Sequence, residues 1–308
     1  MTTASTHCRT VRAAWPGAVL GVFPGVFLGV FLGIWGLLAV PQAASAQEFE
    51  PLDRMADTFE SITSGVDSLW PDALEVDGLQ ARVGFATGLV PDYTGSNNMR
   101  LRALPLIQLR YKDVWKLNDT KFSYFAWHNG PWSAGPLANL VFGRDERRNK
   151  VLEGLGDIKT TLELGGFVQY RTEKALVDLE MRQALGAGQG ATIRLTAGQG
   201  IYKSGKLFIG LAGRLKWQSD KSMRTNFGVS PEQAARSTFG LETFTPKSTI
   251  SEGSINLVGA YNVTERARFL ALISYARLLG DASDSPLVAG KAGSANQMVL
   301  GTALTFTF

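Results

Sequence analysis

Cysteine occurs once in the 308 residues, as Cys8, and histidine twice. A lone thiol excludes a disulfide framework within the chain, and a metal site built from Cys and His would need more ligands than are present. After Val40 there is no apolar run of the roughly 18 residues that a spanning helix requires, which excludes a helical membrane bundle. Charge is sparse as well: Asp, Glu, Lys and Arg make up 19% of the chain and the net charge is +4, too little for a nucleic-acid footprint. Mean hydropathy is +0.01, the average expected of a sheet in which oily and polar residues alternate and cancel.

What is present begins with an export signal. Arg9 and Arg12 precede a Gly- and Phe-rich apolar run from residue 18 to 40, followed by Pro41 and the small residues Ala44, Ser45 and Ala46. Positive end, greasy centre and small residues at minus three and minus one predict a cut after Ala46; an uncleaved anchor is the competing reading. Cleavage removes Cys8 and both arginines, leaving 29 basic against 27 acidic residues, a mature charge of +2. The chain then divides into a signal peptide (1–46), a periplasmic leader (47–78) and a barrel (79–308).

In the leader, Leu52, Met55, Phe59, Ile62, Val66 and Leu69 step by three and four, which predicts an amphipathic helix with Asp53, Arg54, Asp57, Glu60 and Asp67 on its other side. Pro71 ends it. Such a helix packs its stripe on the barrel, frays in the periplasm, docks a partner or plugs a lumen.

From Leu79 the period changes to two. In the last stretch, Met298, Leu300, Thr302, Leu304, Phe306 and Phe308 share one face while Gln297, Val299, Gly301, Ala303, Thr305 and Thr307 share the other. A closing strand that ends on an aromatic fits an antiparallel transmembrane β-barrel, all-β, with the last strand sealed against the first. Dividing residues 114–127 at 119–121 gives twelve strands, the even number that places both ends on the periplasmic side. The other strands fall at 79–89, 100–111, 132–144, 157–171, 174–184, 191–202, 206–217, 250–262 and 266–280. Short turns at 112–113, 128–131, 172–173, 203–205 and 263–265 then share one side, and long loops at 145–156, 218–249 and 281–295 the other. Inward rows carry Arg102, Lys159, Glu163, Gln169, Arg171, Asp178, Glu180, Arg182, Arg194 and Arg214. Both signs are present, so interior ion pairs are expected; whether the lumen conducts stays open.

No residue set builds a catalytic, cofactor or metal site. His128, the one histidine after the cut, sits in a predicted turn, too isolated for a base or a ligand. Gly200 to Lys206 has the spacing of a phosphate loop, but Leu207 stands where Ser or Thr is needed; Gly186, Gly188 and Gly190 match a loose dinucleotide pattern that runs into a strand. Both read as hairpin turns. The loop GRDERRNK, from Gly143 to Lys150, reads as a solvated outer loop, with Arg144, Arg147 and Arg148 as a candidate clamp for lipopolysaccharide phosphate.

Five segments in order resemble the MipA/OmpV family of outer-membrane scaffolding proteins: Pro91 to Ser96 (PDYTGS), Gly143-Arg144 followed by Leu152 to Asp157 (LEGLGD), Asn226 to Val229 (NFGV), Asp284 to Val288 (DSPLV), and the terminal Phe308. Two departures are the long leader and Asn226-Phe227 in place of an aromatic pair. The resemblance implies an outer-membrane, non-enzymatic scaffold in contact with lipid and lipopolysaccharide, with a lytic transglycosylase and a murein synthase as partners and no cofactor. It also implies, from some members, a porin-like channel or an adhesin as alternatives.

Overall fold

The computed structural model describes residues 78–291 and 293–308. The predicted signal peptide and the leader up to Asp77 lie outside the described residues. Thirteen strand segments follow: β1 (Leu79–Pro91), β2 (Met99–Tyr111), β3 (Trp115–Asn118), β4 (Lys121–Tyr124), β5 (Trp127–Asn129), β6 (Trp132–Val141), β7 (Thr161–Arg171), β8 (Ala175–Ala184), β9 (Ala191–Ser204), β10 (Leu207–Gln218), β11 (Thr249–Asn262), β12 (Ala267–Leu278) and β13 (Asn296–Thr307). Three helices, α1 (Asp220–Phe227), α2 (Pro231–Arg236) and α3 (Asp281–Asp284), lie in the long loops.

Each strand pairs antiparallel with its chain neighbours, except that β4 and β5 do not pair with each other, and two further pairings close the ring: β1 with β13, and β4 with β6. At the seam Val83 faces Phe306 and Leu89 faces Leu300, while the N–H of Phe308 donates to Ala81 O at 2.8 Å. Both β4 and β5 pair with β6, so they are two halves of one stave, and the ring has twelve. Closure leaves no free sheet edge around most of the wall, which a lipid-facing sheet requires because the hydrocarbon offers its backbone no partners.

Side-chain alternation decides what faces lipid. Along β13, Met298, Leu300, Leu304 and Phe306 are exposed on the outside, and Gln297, Val299, Ala303 and Thr305 are buried on the inside. The full-length staves have 10–14 residues, enough to cross a bilayer when tilted. Outward aromatics gather near the short turns, where Tyr111 stacks on Trp115 (6.1 Å between centroids) and Trp132 meets Tyr170 (4.9 Å). Amphipathic rings at that level mark a membrane interface.

The fourth stave breaks at Phe125-Ala126. The backbone of Tyr124 comes so close to β6 that a Cβ on Gly135 would stand 1.8 Å from Tyr124 O, which only glycine permits. The break turns Phe125 inward, edge-on to Phe167 at 5.1 Å and stacked on His128 at 5.5 Å.

The wall is also low beside β2, because β3 pairs with it only from Gln108 to Tyr111. Ile107 makes the last link, donating to Asp119 Oδ1 (2.7 Å) and accepting from Asp119 N (2.8 Å). Residues two apart turn their backbone to the same side, so Pro105, Ala103 and Leu101 face a side with no partner strand among the described residues. Proline stands at the first of these positions and has no N–H to leave bare.

Several expected boundaries move. β6 ends at Val141 and β7 begins at Thr161, so Arg144 and Lys159 belong to the loop, and Lys159 is exposed rather than inward. Residues 157–160 look strand-like because Ile158 bridges Arg144 through a single isolated pair that does not extend. His128 lies in β5, and the tight turn is Gly130-Pro131. Lys203 and Ser204 extend β9, leaving Gly205-Lys206 as the turn.

Candidate functional site: a capped lumen

Four loops on the long-loop side (92–98, 142–160, 219–248 and 279–295) fold over the mouth of the barrel and share one buried apolar cluster. Tyr93 comes from the first loop, Leu152 and Leu155 from the second, Phe227 and Val229 from the third, and Leu287 and Val288 from the fourth. These are the apolar members of PDYTGS, LEGLGD, NFGV and DSPLV. Four motifs that each look like loop chemistry are thus the pieces of a single cap. The clue in the sequence was the apolar content itself, too high for solvated loops.

Polar fastenings complete it. Tyr93 is 0% exposed and its hydroxyl donates to Leu287 O at 2.8 Å; Ser285 Oγ donates to Phe227 O at 2.6 Å. Gln233 Nε2 donates to Leu155 O (2.6 Å), which ties α2 to the second loop. That helix starts on a capping box, with Ser230 and Gln233 exchanging bonds and Pro231 at its first position. The backbone N–H groups of Gly154 and Gly156 both donate to Glu146 Oε2, at 3.0 and 2.8 Å, so LEGLGD cradles the acid of GRDERRNK.

The expected phosphate clamp does not form as drawn. Arg144 and Arg148 are buried, and Arg144 donates to Asn226 O at 3.2 Å. Arg147 is exposed but grips Asp145 through two donors, at 3.2 and 3.0 Å. Hydrogen bonds from the Arg147 side chain and backbone hold the Asp145 carboxyl below its ordinary value. The loop is held by its own acids and by the cap rather than standing free in water.

Inside the barrel, Lys121 Nζ meets Glu180 Oε1 at 2.6 Å, Arg182 pairs with the same carboxylate, and Arg182 lies 3.6 Å from Glu163. Asn139 Nδ2 adds a bond to Glu163 Oε2 at 3.1 Å. The expected interior ion pairs are therefore present, with Lys121 as a member that alternation along the residues around it had not singled out. Of the other inward residues, Gln169 bonds Asp178 (3.1 Å), Arg214 bonds Thr196 (3.3 Å), and Arg82 bonds Gln108 (3.0 Å).

Two spaces open inside the barrel. On the short-turn side a vestibule of about 240 Å³ is lined by Arg82, Arg110, Lys116, Arg171, Asp113 and His128, among others. Under the cap a chamber of about 100 Å³ is lined by Arg194, Arg214, Lys216, Glu163 and Glu252, with Arg144 at its edge. His128 Nε2 lies 2.7 Å from Asp113 O, a turn-fastening contact with no nucleophile in it. Among the described residues no group of three His, Cys, Asp or Glu could hold a metal ion. The glycine stretches are hairpin turns: Gly205 joins β9 to β10, and Ala187, Gly188 and Gly190 take positive φ between β8 and β9.

Residues 83–308 match the family described as MltA-interacting protein MipA. The chain belongs to that family. The MipA match begins inside β1 and runs to the final Phe308, so it covers nearly the whole ring and all four cap loops. Among solved structures, the KdgM porin shares 10% identity over 74% of this chain and 99% of its own, at a TM-score of 0.36. The COG4313 outer membrane channel from Pseudomonas putida F1 shares 12% over 77% and 97%, at 0.36. OmpT of Vibrio cholerae shares 12% over 76% and 99%, at 0.35. Similarity at that level carries no functional weight. No curated protein matches the chain. MipA membership and the closed, apolar-skinned ring make this an outer-membrane barrel protein, and both accord with a non-enzymatic role.

Proposed function

We propose that the protein is a scaffold of the outer membrane whose short-turn, periplasmic face docks murein-processing enzymes, a lytic transglycosylase and a murein synthase. The observation that carries this reading is the obstructed barrel: a four-loop apolar cap over one mouth and a buried Lys121–Glu180–Arg182–Glu163 cluster on the inner wall. A barrel so obstructed is suited to presenting surfaces rather than passing solutes, and the family description names a murein-enzyme partner. Affinity capture from envelope with the full chain as bait is the test. Recovery of a murein hydrolase, reduced by charge reversal of Arg110 and Lys174 at the short-turn rim, supports the scaffold; recovery of no murein enzyme contradicts it.

A small diffusion pore is the second reading, favoured by the basic lining of the inner chamber, Arg194, Arg214 and Lys216. It requires an anion-preferring conductance that changes when Arg194 or Arg102 is replaced by Gln.

A further inference from the structure

The vestibule at the short-turn end is built by strand register. Alternation turns the even-numbered residues of β1, β2 and β3 inward, and cross-strand pairing sets Thr307, Arg82, Gln108 and Asn118 in one buried row. One step nearer the turns, a second row holds Gln80, Arg110 and Lys116. The other wall brings Arg171, at the end of β7, and Gln169 beside it. The break in the fourth stave supplies the remaining face, because it turns Phe125 inward and stacks it on His128.

Charge in this space is one-sided. Arg110 and Lys116 stand directly opposite each other on paired strands, an arrangement that destabilises a sheet. Asp113 meets Arg110 at 2.5 Å and is the only carboxylate among the described residues that line the space. Four cations, Arg82, Arg110, Lys116 and Arg171, thus face one acid, a net charge of +3. Asp178, bonded to the lining residue Gln169, lowers this to +2 and does not reverse it. A concave site lined by one sign focuses its field and draws a counter-ion.

The donors say which kind of anion. Three of the four cations are arginines, whose forks take a carboxylate through two parallel bonds where an ammonium acts as a point charge. Arg82 is 7% exposed, so the half-buried Arg110, Lys116 and Arg171 are the cations that a ligand reaches. Gln80, Asn118, Gln169 and Ser133 add amides and a hydroxyl, which can satisfy the hydroxyls that a bare ion lacks. At about 240 Å³ the space falls below the roughly 300–1,000 Å³ of a drug-sized pocket, which limits the ligand to about one ring.

We infer that the vestibule binds a sugar acid, with its carboxylate at the Arg110, Lys116 and Arg171 rim, its hydroxyls on the amides and its ring face against Phe125. The scaffold reading concerns protein partners outside the rim, and capture of a murein enzyme has no bearing on this small-ligand site. Either can fail alone.

Isothermal titration calorimetry tests the site on the purified full chain, in a polyoxyethylene detergent that carries neither sugar nor charge. The probes are glucuronate, glucose, acetate and inorganic phosphate. Saturable binding of glucuronate that weakens as salt is raised is expected, with the other three each about tenfold weaker or more. Arg171→Gln is expected to weaken glucuronate about tenfold or more, and Arg171→Lys to recover only part of the loss, since the charge returns without the fork. Lys116→Gln, a second variant on the facing wall, is expected to weaken it several-fold. Lys247→Gln, which removes an exposed cation from the loop between β10 and β11, is expected to change nothing. Resistance to SDS without heating shows each variant to be folded. Absence of glucuronate binding, equal binding of acetate, glucose or phosphate, or unaltered binding by folded Arg171→Gln and Lys116→Gln proteins would overturn the inference.

Discussion

Glu180 shows how much a single carboxylate can organise. It takes the ammonium of Lys121 and the guanidinium of Arg182 in a region where all three side chains are nearly out of solvent. Removing one partner of a buried ion cluster is far costlier than never having built it, because the opposite charge stays behind. Glu180→Ala is expected to destabilise the barrel by about 3–5 kcal/mol, measured by urea unfolding in lipid. The cap has a smaller counterpart in Tyr93. Tyr93→Phe deletes only the donor to Leu287 O, and leaving that buried carbonyl bare is expected to cost about 1–3 kcal/mol of cap stability. Hydrogen exchange across residues 279–295 would read it, faster in the variant and unchanged at the β1–β13 seam.

Elements differ in how plainly they are written. Staves such as β13 were legible because an oily face and a small or polar face alternate with period two. Staves with apolar residues on both faces, such as β12 and β2, were less so: in β2, Leu104, Pro105 and Leu106 in a row break the alternation and hide which face is which. The cap escaped for a different reason. Its residues are far apart in sequence and have no period, so only three-dimensional packing joins Tyr93 to Leu287, and the same is true of the burial of Arg144 and Arg148. At the low wall, Pro105→Ala restores an N–H that meets no partner strand among the described residues, and it is expected to cost about 1–3 kcal/mol, because hydrocarbon cannot satisfy that donor. An unchanged urea midpoint would mean that a partner meets it.

The long loop between β10 and β11 has a pH-sensitive tie. Asp220, at the start of α1, accepts from Ser248 N at 2.5 Å, and that backbone donor lowers its pKa below the ordinary value of 3.8. The ionised form is the one the folded loop favours. Its contribution is therefore complete above the ordinary value and lost as pH falls through the lowered one. The Ser248 amide is expected to stay protected at neutral pH and to exchange faster in strong acid, ahead of the amides within β11; Asp220→Asn should remove that acid dependence.

At the scale of the whole molecule, the ring is closed by its two terminal strands, and the seam is chemically addressable. Val83 and Phe306 face each other outward, and Cys8, the only native thiol, lies in the predicted signal. Val83→Cys with Phe306→Cys is expected to form a disulfide on oxidation, since directly paired strand residues bring their Cα atoms about 5.5 Å apart, within the reach of such a bond. Two free, separately alkylated thiols would place the strands apart. Beyond closure, a barrel with a packed apolar cap over one mouth and a buried ion cluster on its inner wall is expected not to pass solutes. Planar-bilayer recording of the purified full chain tests that most directly: the bilayer is predicted to stay electrically silent, and sustained, reproducible opening steps carried by the unmodified protein would contradict it.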